Sequence, residues 1–251
     1  MSAPSVLGRR LLPAVAATAV LAAFACGGWY GYRALAARPI VHVELAGDVA
    51  RIPPPDLDAF ARSLRGLAAG SVSLSAVREA ARRLPWVRDA AVRRRFQDGI
   101  EVTFDAHQPL ARWGNDALVS TRGEVFSAPY DGKLPRFLGP DGTAPVMAQE
   151  YATIAPMLAP LASPIAELRL SARGAWHATL ESGLTIELGR GDVGARIQRF
   201  VAAWPGLAAR GVEIRHADLR YANGFALRVA SSSQPAARGA ANPRQPRPKK
   251  K

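Results

Sequence analysis

Hydrophobic and polar positions between residues 40 and 106 predict a strand, two helices and two more strands. Val41, Val43 and Leu45 alternate with polar residues, which is typical of a half-buried strand. Two amphipathic helices are predicted next, because apolar residues recur three and four positions apart. These positions are Leu57, Phe60, Ala61 and Leu64 in the first helix, and Val77, Ala80, Ala81 and Leu84 in the second. Strands over 87–96 and 100–104, joined by the turn-forming pair Asp98-Gly99, complete a β-α-α-β-β unit.

Residues 109–230 show mainly the pattern of short strands separated by turns. The predicted strands are Ala117–Ser120, Glu124–Phe126, Ala166–Leu170, Trp176–Leu180, Leu184–Leu188, Val212–Tyr221 and Phe225–Val229. One helix is predicted between Asp192, its cap, and Pro205-Gly206, which should end it. A second helix is predicted over 148–161, kinked by Pro156. The fold class that follows is α+β, with a mostly antiparallel β domain and one or two helices.

The N-terminal segment has no charged residue from Leu11 to Tyr32. As a helix it would measure ~33 Å, enough for a hydrocarbon core of ~30 Å. We therefore predict a transmembrane helix over 11–33, with a cytoplasmic arm over 1–10 and the bulk of the chain in the periplasm. The alternative is a cleaved signal peptide with the small-x-small site Ala34-Leu35-Ala36, although its apolar region would exceed the usual ~7–15 residues.

Composition limits the other functional classes. Hydrophobic residues make up 49% of the 251 residues, so a packed core is expected. Cys26 is the only cysteine, which excludes an intramolecular disulfide and CxxC sites. The net charge is +13, but Arg and Lys without any acid are concentrated over 231–251, which is predicted to be a disordered tail. Zinc-finger spacing, an RNA-binding signature and a basic zipper region are missing, so no nucleic-acid partner is predicted; anionic lipid or acidic partners fit the charge better.

No enzyme signature is present in the sequence. The four histidines, His42, His107, His177 and His216, form no HExxH or HxH pair, so no metal site is predicted. The sequence contains no GxSxG elbow, no SxxK motif and no phosphate loop with a Lys-Ser/Thr ending. We therefore predict no catalytic residue, no cofactor and no small-molecule substrate.

Several short motifs resemble the FtsQ/DivIB family of bacterial cell-division proteins. They are Leu84-Pro85-Trp86-Val87, Val92-Arg93-Arg94, Gln108-Pro109-Leu110-Ala111-Arg112-Trp113, Gly123-Glu124-Val125-Phe126, Leu188-Gly189-Arg190 and Asp218-Leu219-Arg220-Tyr221 followed by Asn223-Gly224-Phe225-Ala226. The resemblance extends over roughly residues 10–230. It implies a POTRA domain over 40–106, an FtsQ-type β domain over 107–230, and a single-pass protein of the inner membrane at the division septum. It also implies a non-enzymatic divisome scaffold that binds FtsB, FtsL and other divisome proteins and helps control septal peptidoglycan synthesis.

The predicted binding mechanism is the addition of a partner strand to a sheet edge. If Phe225–Val229 is an edge strand, its free backbone groups can pair with an extended segment. Phe225, Leu227 and Val229 would face the core, and Ala226 and Arg228 would face away. The FtsQ-like match adds Arg220, Tyr221 and Asn223, with Arg220 able to hold a carboxylate bidentately. On periodicity alone, Leu219 and Tyr221 could instead be core residues and Arg220 a solvated strand arginine.

Two other classes stay open at this level. One is a secreted periplasmic protein released by signal cleavage, and the other is a POTRA docking module of another envelope complex. The run Arg93-Arg94-Arg95 could likewise be a positive docking surface or a solvated strand face.

Overall fold

The computed structural model describes residues 6–95 and 99–230, with side chains described for 17–34, 37–95 and 99–230. The predicted tail over 231–251, the first five residues of the predicted cytoplasmic arm and Asp98 of the predicted turn lie outside the described residues. The first element is the helix α1 (Val6–Ala36). Within the described part of the chain, no helix has both the length and the apolar character needed to cross a membrane. The transmembrane helix predicted over 11–33 is therefore not confirmed.

The first compact unit contains the residues up to Pro109 together with 125–131. After α1 its elements are β1 (His42–Gly47), a 3₁₀ turn (Val49–Arg51), α2 (Pro54–Leu64), α3 (Leu74–Arg82), β2 (Val87–Arg95) and β3 (Gly99–Ala106). The predicted β-α-α-β-β order is observed. The strands form one sheet in the order β1-β3-β2, in which β1 is parallel and β2 antiparallel to β3.

The helices of this unit bury most of the apolar positions that the sequence predicted, whereas Leu57, Ala80 and Leu84 are partly exposed. Phe60 and Phe104 meet edge to face with their ring centroids 5.7 Å apart, and Val77 and Ala81 are buried on α3. Since an amphipathic helix gains stability mainly by covering its apolar stripe, the core forms where the helices pack on the sheet.

The arginines of β2 are engaged within the first unit. Arg93 and Arg95 form ion pairs with Glu101 at 2.6 and 3.0 Å, and Arg95 also pairs with Glu44 at 2.7 Å. Arg94 donates hydrogen bonds to the carbonyl oxygens of Ala69 and Val72. Two of the three positive charges are therefore balanced by carboxylates, and the third arginine is held by neutral backbone groups.

The remaining elements are β4 (Pro109–Trp113), β5 (Ala117–Ser120), β6 (Val125–Phe126, in the first unit), β7 (Arg136–Leu138), α4 (Ala144–Leu158) followed by a 3₁₀ turn (Ala159–Leu161), β8 (Ile165–Leu170), β9 (Trp176–Leu180), β10 (Thr185–Gly189), α5 (Val193–Ala208), β11 (Ile214–Asp218) and β12 (Ala226–Val229). The second compact unit contains, of the described residues, 110–124 and 132–230. Its sheet has the order β12-β11-β10-β9-β8-β7-β4-β5.

The predicted α+β class is confirmed, and the sheet of the second unit adds features that were not predicted. The pairs β8–β9, β9–β10 and β11–β12 are antiparallel, whereas β4–β7, β7–β8 and β10–β11 are parallel. The strands β4 and β7 were not predicted, because such short strands depend on their neighbours rather than on a pattern of their own.

Two helices of the second unit contain an internal proline. The prediction that Pro205-Gly206 ends α5 is wrong, because the helix continues to Ala208. A proline removes one hydrogen bond from a helix, but Ile197 and Phe200 of α5 are completely buried and hold it on the sheet. The predicted helix containing Pro156 is observed as α4, with an earlier start.

Candidate functional site

The strand β12 is the last strand of its sheet, which is the condition that the predicted binding mechanism requires. It pairs antiparallel with β11, and Ala217 lies opposite Leu227 and Asp218 opposite Ala226. No other strand of the described residues pairs with the opposite side of β12, which we call the outer edge. An edge of this kind presents backbone groups that can pair with another chain.

The backbone register identifies which groups point toward the outer edge. The N–H of Ala230 donates to the carbonyl of Glu213 at 2.8 Å, so Ala230 points toward β11. Backbone groups alternate in direction along an antiparallel strand. The N–H and C=O groups of Leu227 and Val229 therefore point toward the outer edge, and those of Arg228 point toward β11.

The side chains of this region follow the predicted alternation in part. Phe225 and Leu227 are half-buried against the core, and the Phe225 ring meets Phe200 of α5 edge to face at 5.4 Å. Arg228 is exposed, as predicted. The prediction that Val229 faces the core is wrong, because this residue is 46% exposed. As the final residue of an edge strand, it has a neighbouring strand on one side only.

Arg220 is held by two carboxylates of its own chain. Its Nε and Nη2 donate to Oδ1 and Oδ2 of Asp218 at 2.8 and 2.7 Å, and Nε lies 3.1 Å from Oε2 of Glu187. The hydrogen bonds between Arg220 and Asp218 hold the pKa of the Asp218 carboxyl below its usual range. The same bonds raise the pKa of Arg220. Arg220 was predicted to bind a carboxylate of a partner protein. In the structure, its guanidinium instead binds carboxylates of its own chain.

Tyr221 and Asn223 are both exposed on the connection between β11 and β12. The Tyr221 residue is 56% exposed, whereas Leu219 is buried at 1%. The Tyr221 carbonyl accepts a hydrogen bond from Nη1 of Arg199 on α5 at 3.4 Å. The reading in which Leu219 and Tyr221 are both core residues therefore holds for Leu219 alone.

The sequence analysis did not identify Asp218 and Glu187 as part of this region. Asp218 and Arg220 are two positions apart at a strand end, a spacing that places side chains on the same face. That spacing could have indicated the pair. Glu187 could not be found in this way, since it reaches Arg220 through the parallel pairing of β10 with β11.

The described residues contain no cluster of three or more His, Cys, Asp or Glu side chains able to hold a metal ion. The chemistry available at the outer edge is backbone pairing with flanking apolar and charged side chains. This arrangement suits the binding of an extended protein segment.

Comparisons with known proteins agree with the motifs. Residues 111–220 match the family described as cell division protein FtsQ/DivIB, C-terminal. The chain is 39% identical to a cell division protein FtsQ of Burkholderia pseudomallei over 222 residues, covering 84% of this chain and 88% of that protein. It is 36% identical to an FtsQ of Xanthomonas campestris pv. campestris over 219 residues, covering 86% and 78%. An FtsQ of Bordetella pertussis is 41% identical over 183 residues, covering 64% and 67%.

Proposed function

Because this chain belongs to the FtsQ family of cell-division proteins, we propose that it is a non-enzymatic divisome scaffold that recruits FtsB and FtsL by strand addition. The observation that carries the proposal is the outer edge of β12, the terminal strand of its sheet. An extended segment of FtsB pairs with the backbone groups of Leu227 and Val229. Through this contact the protein positions FtsB and FtsL at the septum and helps control septal peptidoglycan synthesis.

The side chains around the outer edge support the same binding mode. Tyr221 and Val229 are 56% and 46% exposed and lie near opposite ends of the β11–β12 hairpin. Apolar and aromatic side chains of this kind anchor interfaces once a partner covers them. Arg220 has a positioning role, because Asp218 and Glu187 hold its guanidinium.

The proposed organisation places the docking surface outside the cytoplasm. Residues 40–106 form a POTRA domain, 107–230 the FtsQ-type β domain, and 11–33 a single inner-membrane anchor with the N-terminus in the cytoplasm. The uncharged stretch from Leu11 to Tyr32 supports the anchor, as do Leu21 and Phe24, which are 69% and 77% exposed on α1. Membrane fractionation with N-terminal sequencing tests this topology, because a cleaved secreted protein would be soluble and start after Ala36.

The strand-addition test uses Val229→Pro. Proline has no N–H, and it is tolerated on an edge strand where the N–H faces outward. We expect this substitution to weaken binding of the extracytoplasmic part of FtsB at least tenfold, with little change in melting temperature. Calorimetric titration measures the affinity.

Two further variants separate the backbone contribution from that of the side chains. Val229→Ala retains the N–H and should weaken binding much less than Val229→Pro does, because only the side-chain contact is lost. Tyr221→Ala removes an exposed ring and should weaken binding without altering thermal unfolding. Equal affinity of the Val229→Pro and Val229→Ala variants would contradict backbone pairing, and a fluorescent fusion without a midcell band would contradict the septal role.

A further inference from the structure

In the first unit, the segment that follows α1 is paired with the segment that follows α2. The Ile40 N–H donates to the Leu67 carbonyl at 2.8 Å, and the Gly66 N–H donates to the Ile40 carbonyl at 3.0 Å. The Ala69 N–H donates to the Arg38 carbonyl at 2.8 Å. Ile40 itself is buried at 1% exposure. The chain that leaves α1 is therefore fixed at once to the body of this unit.

The two paired segments carry positive charge and no acid. Residues 33–43 and 59–73 contain no Asp or Glu. They contain four arginines: Arg33, Arg38, Arg62 and Arg65. All four are exposed, and among the described residues their guanidinium groups have no ion-pair or hydrogen-bond partner. Arg94 of β2 adds to this charge, because it donates to the carbonyls of Ala69 and Val72 and these neutral acceptors leave its charge in place.

The basic surface, which we define as residues 38–41 and 62–69, also exposes two large apolar side chains. Val41 and Leu67 are 54% and 44% exposed, and each lies within three residues of an exposed arginine along the chain. Binding to a membrane surface combines the burial of apolar side chains with the attraction between cations and anionic lipids. The basic surface offers both.

We propose that the basic surface binds anionic phospholipid headgroups. Arg38 and Arg65 contact the phosphates, and Val41 and Leu67 lie at the boundary with the acyl chains. The proposal rests on the proposed inner-membrane anchor and adds a second contact with the bilayer. The first unit then lies against the membrane and does not swing freely on α1.

The length of the connection favours lipid as the partner of the basic surface. Trp29, Tyr30 and Tyr32 are exposed near the end of α1, and aromatic rings at the end of an anchor mark the membrane–water interface. Four helical residues and three extended ones lead from Tyr32 to Pro39, which bridges to Ala68. At ~1.5 and ~3.5 Å per residue, this distance is at most about 16 Å. The headgroup layer is ~5–7 Å thick, and its attraction extends a Debye length of ~8–10 Å further.

The test places a fluorophore at position 67 of the full-length protein in phospholipid vesicles. Cys26 is the only cysteine, so Leu67→Cys combined with Cys26→Ser gives a single labelling site. A nitroxide on the lipid headgroup quenches the fluorophore on close contact. We expect quenching about fivefold stronger with phosphatidylglycerol present than in pure phosphatidylcholine. A label at Val146→Cys, a similarly exposed apolar position of α4, should show no such dependence on lipid charge.

Two charge reversals identify the surface that responds to the lipid. Arg65→Glu should reduce quenching at position 67 to the level seen in pure phosphatidylcholine. Arg210→Glu, which makes the same charge change at an exposed position after α5, should leave the quenching intact. Quenching that does not depend on phosphatidylglycerol, or that falls equally in both variants, would overturn the proposal and leave the basic surface to an acidic protein segment.

A label on Cys26 of the unmodified protein tests the anchor separately, because this residue is exposed on α1. The nitroxide is then carried on the lipid acyl chains, and we expect quenching at both positions. If Cys26 is quenched and position 67 is not, the anchor stands and the lipid contact is overturned. If position 67 is quenched and Cys26 is not, the anchor fails and the basic surface stands as a peripheral lipid contact. Quenching at neither position overturns both.

Discussion

Asp218 illustrates how a single residue prepares the binding surface. Its carboxylate accepts two side-chain hydrogen bonds from Arg220 and one from the Arg220 backbone N–H at 3.1 Å. Asp218 is 8% exposed, so its charge would be costly without these donors. The ion pair between Asp218 and Arg220 fixes the backbone just before the exposed Tyr221. Its contribution to the stability of the fold requires the carboxylate to be ionised.

Asp218→Asn should make the protein less stable at neutral pH. Because the pKa of Asp218 is lowered in the folded state, its stabilisation is present above the unfolded pKa of ~3.9 and is lost as pH falls through the lower folded pKa. We expect a melting temperature about 2–6 °C lower at pH 7 and a gap that closes as the pH falls from the unfolded pKa through the lower folded pKa. Thermal unfolding from pH 7 to pH 2.5 measures this, with exposed Asp141→Asn as the control. A gap that stays constant with pH would refute the assignment.

At the scale of elements, α5 supports the strand that carries the proposed function. Phe200 of α5 is completely buried and contacts both Trp204 and Phe225 with ring centroids 5.6 and 5.4 Å apart. Arg199 of the same helix reaches the Tyr221 carbonyl. The residues that lead into β12 are therefore held by a helix that lies earlier in the chain.

Asp192→Ala should destabilise α5 from its first turn. The lost cap costs about 1 kcal/mol, which corresponds to a melting temperature about 2–4 °C lower for a chain of this size. Asp192→Ser retains a capping oxygen and should recover most of the loss. Thermal unfolding of the two variants is the measurement, and an equal decrease in both would argue against capping by Asp192.

At the scale of the whole molecule, the first unit includes a segment from farther along the chain. The Phe126 ring stacks on His107 at 4.2 Å with an interplanar angle of 9°, and it meets Trp86 at 5.7 Å. Tyr130 contacts Trp86 from the same segment at 6.1 Å. A fragment limited to residues 40–106 would keep Trp86 but lack the rings of His107, Phe126 and Tyr130. The predicted boundary at 106/107 stays a prediction, whereas the compact unit also contains 125–131.

Phe126→Ala should loosen the first unit selectively. We expect amide hydrogen exchange in Trp86–Arg95 to accelerate at least tenfold, because the buried ring would be replaced by a cavity. Val125→Ala is the matched control, since Val125 is adjacent and 50% exposed. Equal acceleration in both variants, or equal acceleration in β8–β11, would show that Phe126 has no specific role in this unit.

The hydrophobic periodicity of the sequence was by itself enough to predict most of the helices and strands. The helices α2 and α3 and the strands β9 and β12 are found close to where local spacing predicted them, because amphipathic periodicity is a property of neighbouring residues. The motifs likewise led to the correct family. Val229 and Pro205 were mispredicted because strand-end exposure and helix continuation depend on the surrounding packing.

Only the tertiary structure decided which strand is terminal and which charges are compensated. The position of β12 at the edge depends on the order of all the strands in the sheet. The parallel pairing of β10 with β11 and the ion pair between Glu187 and Arg220 likewise join residues far apart in sequence. Local patterns carry no information about such contacts, since the free energy of a long-range pair depends on the folded arrangement that brings its members together.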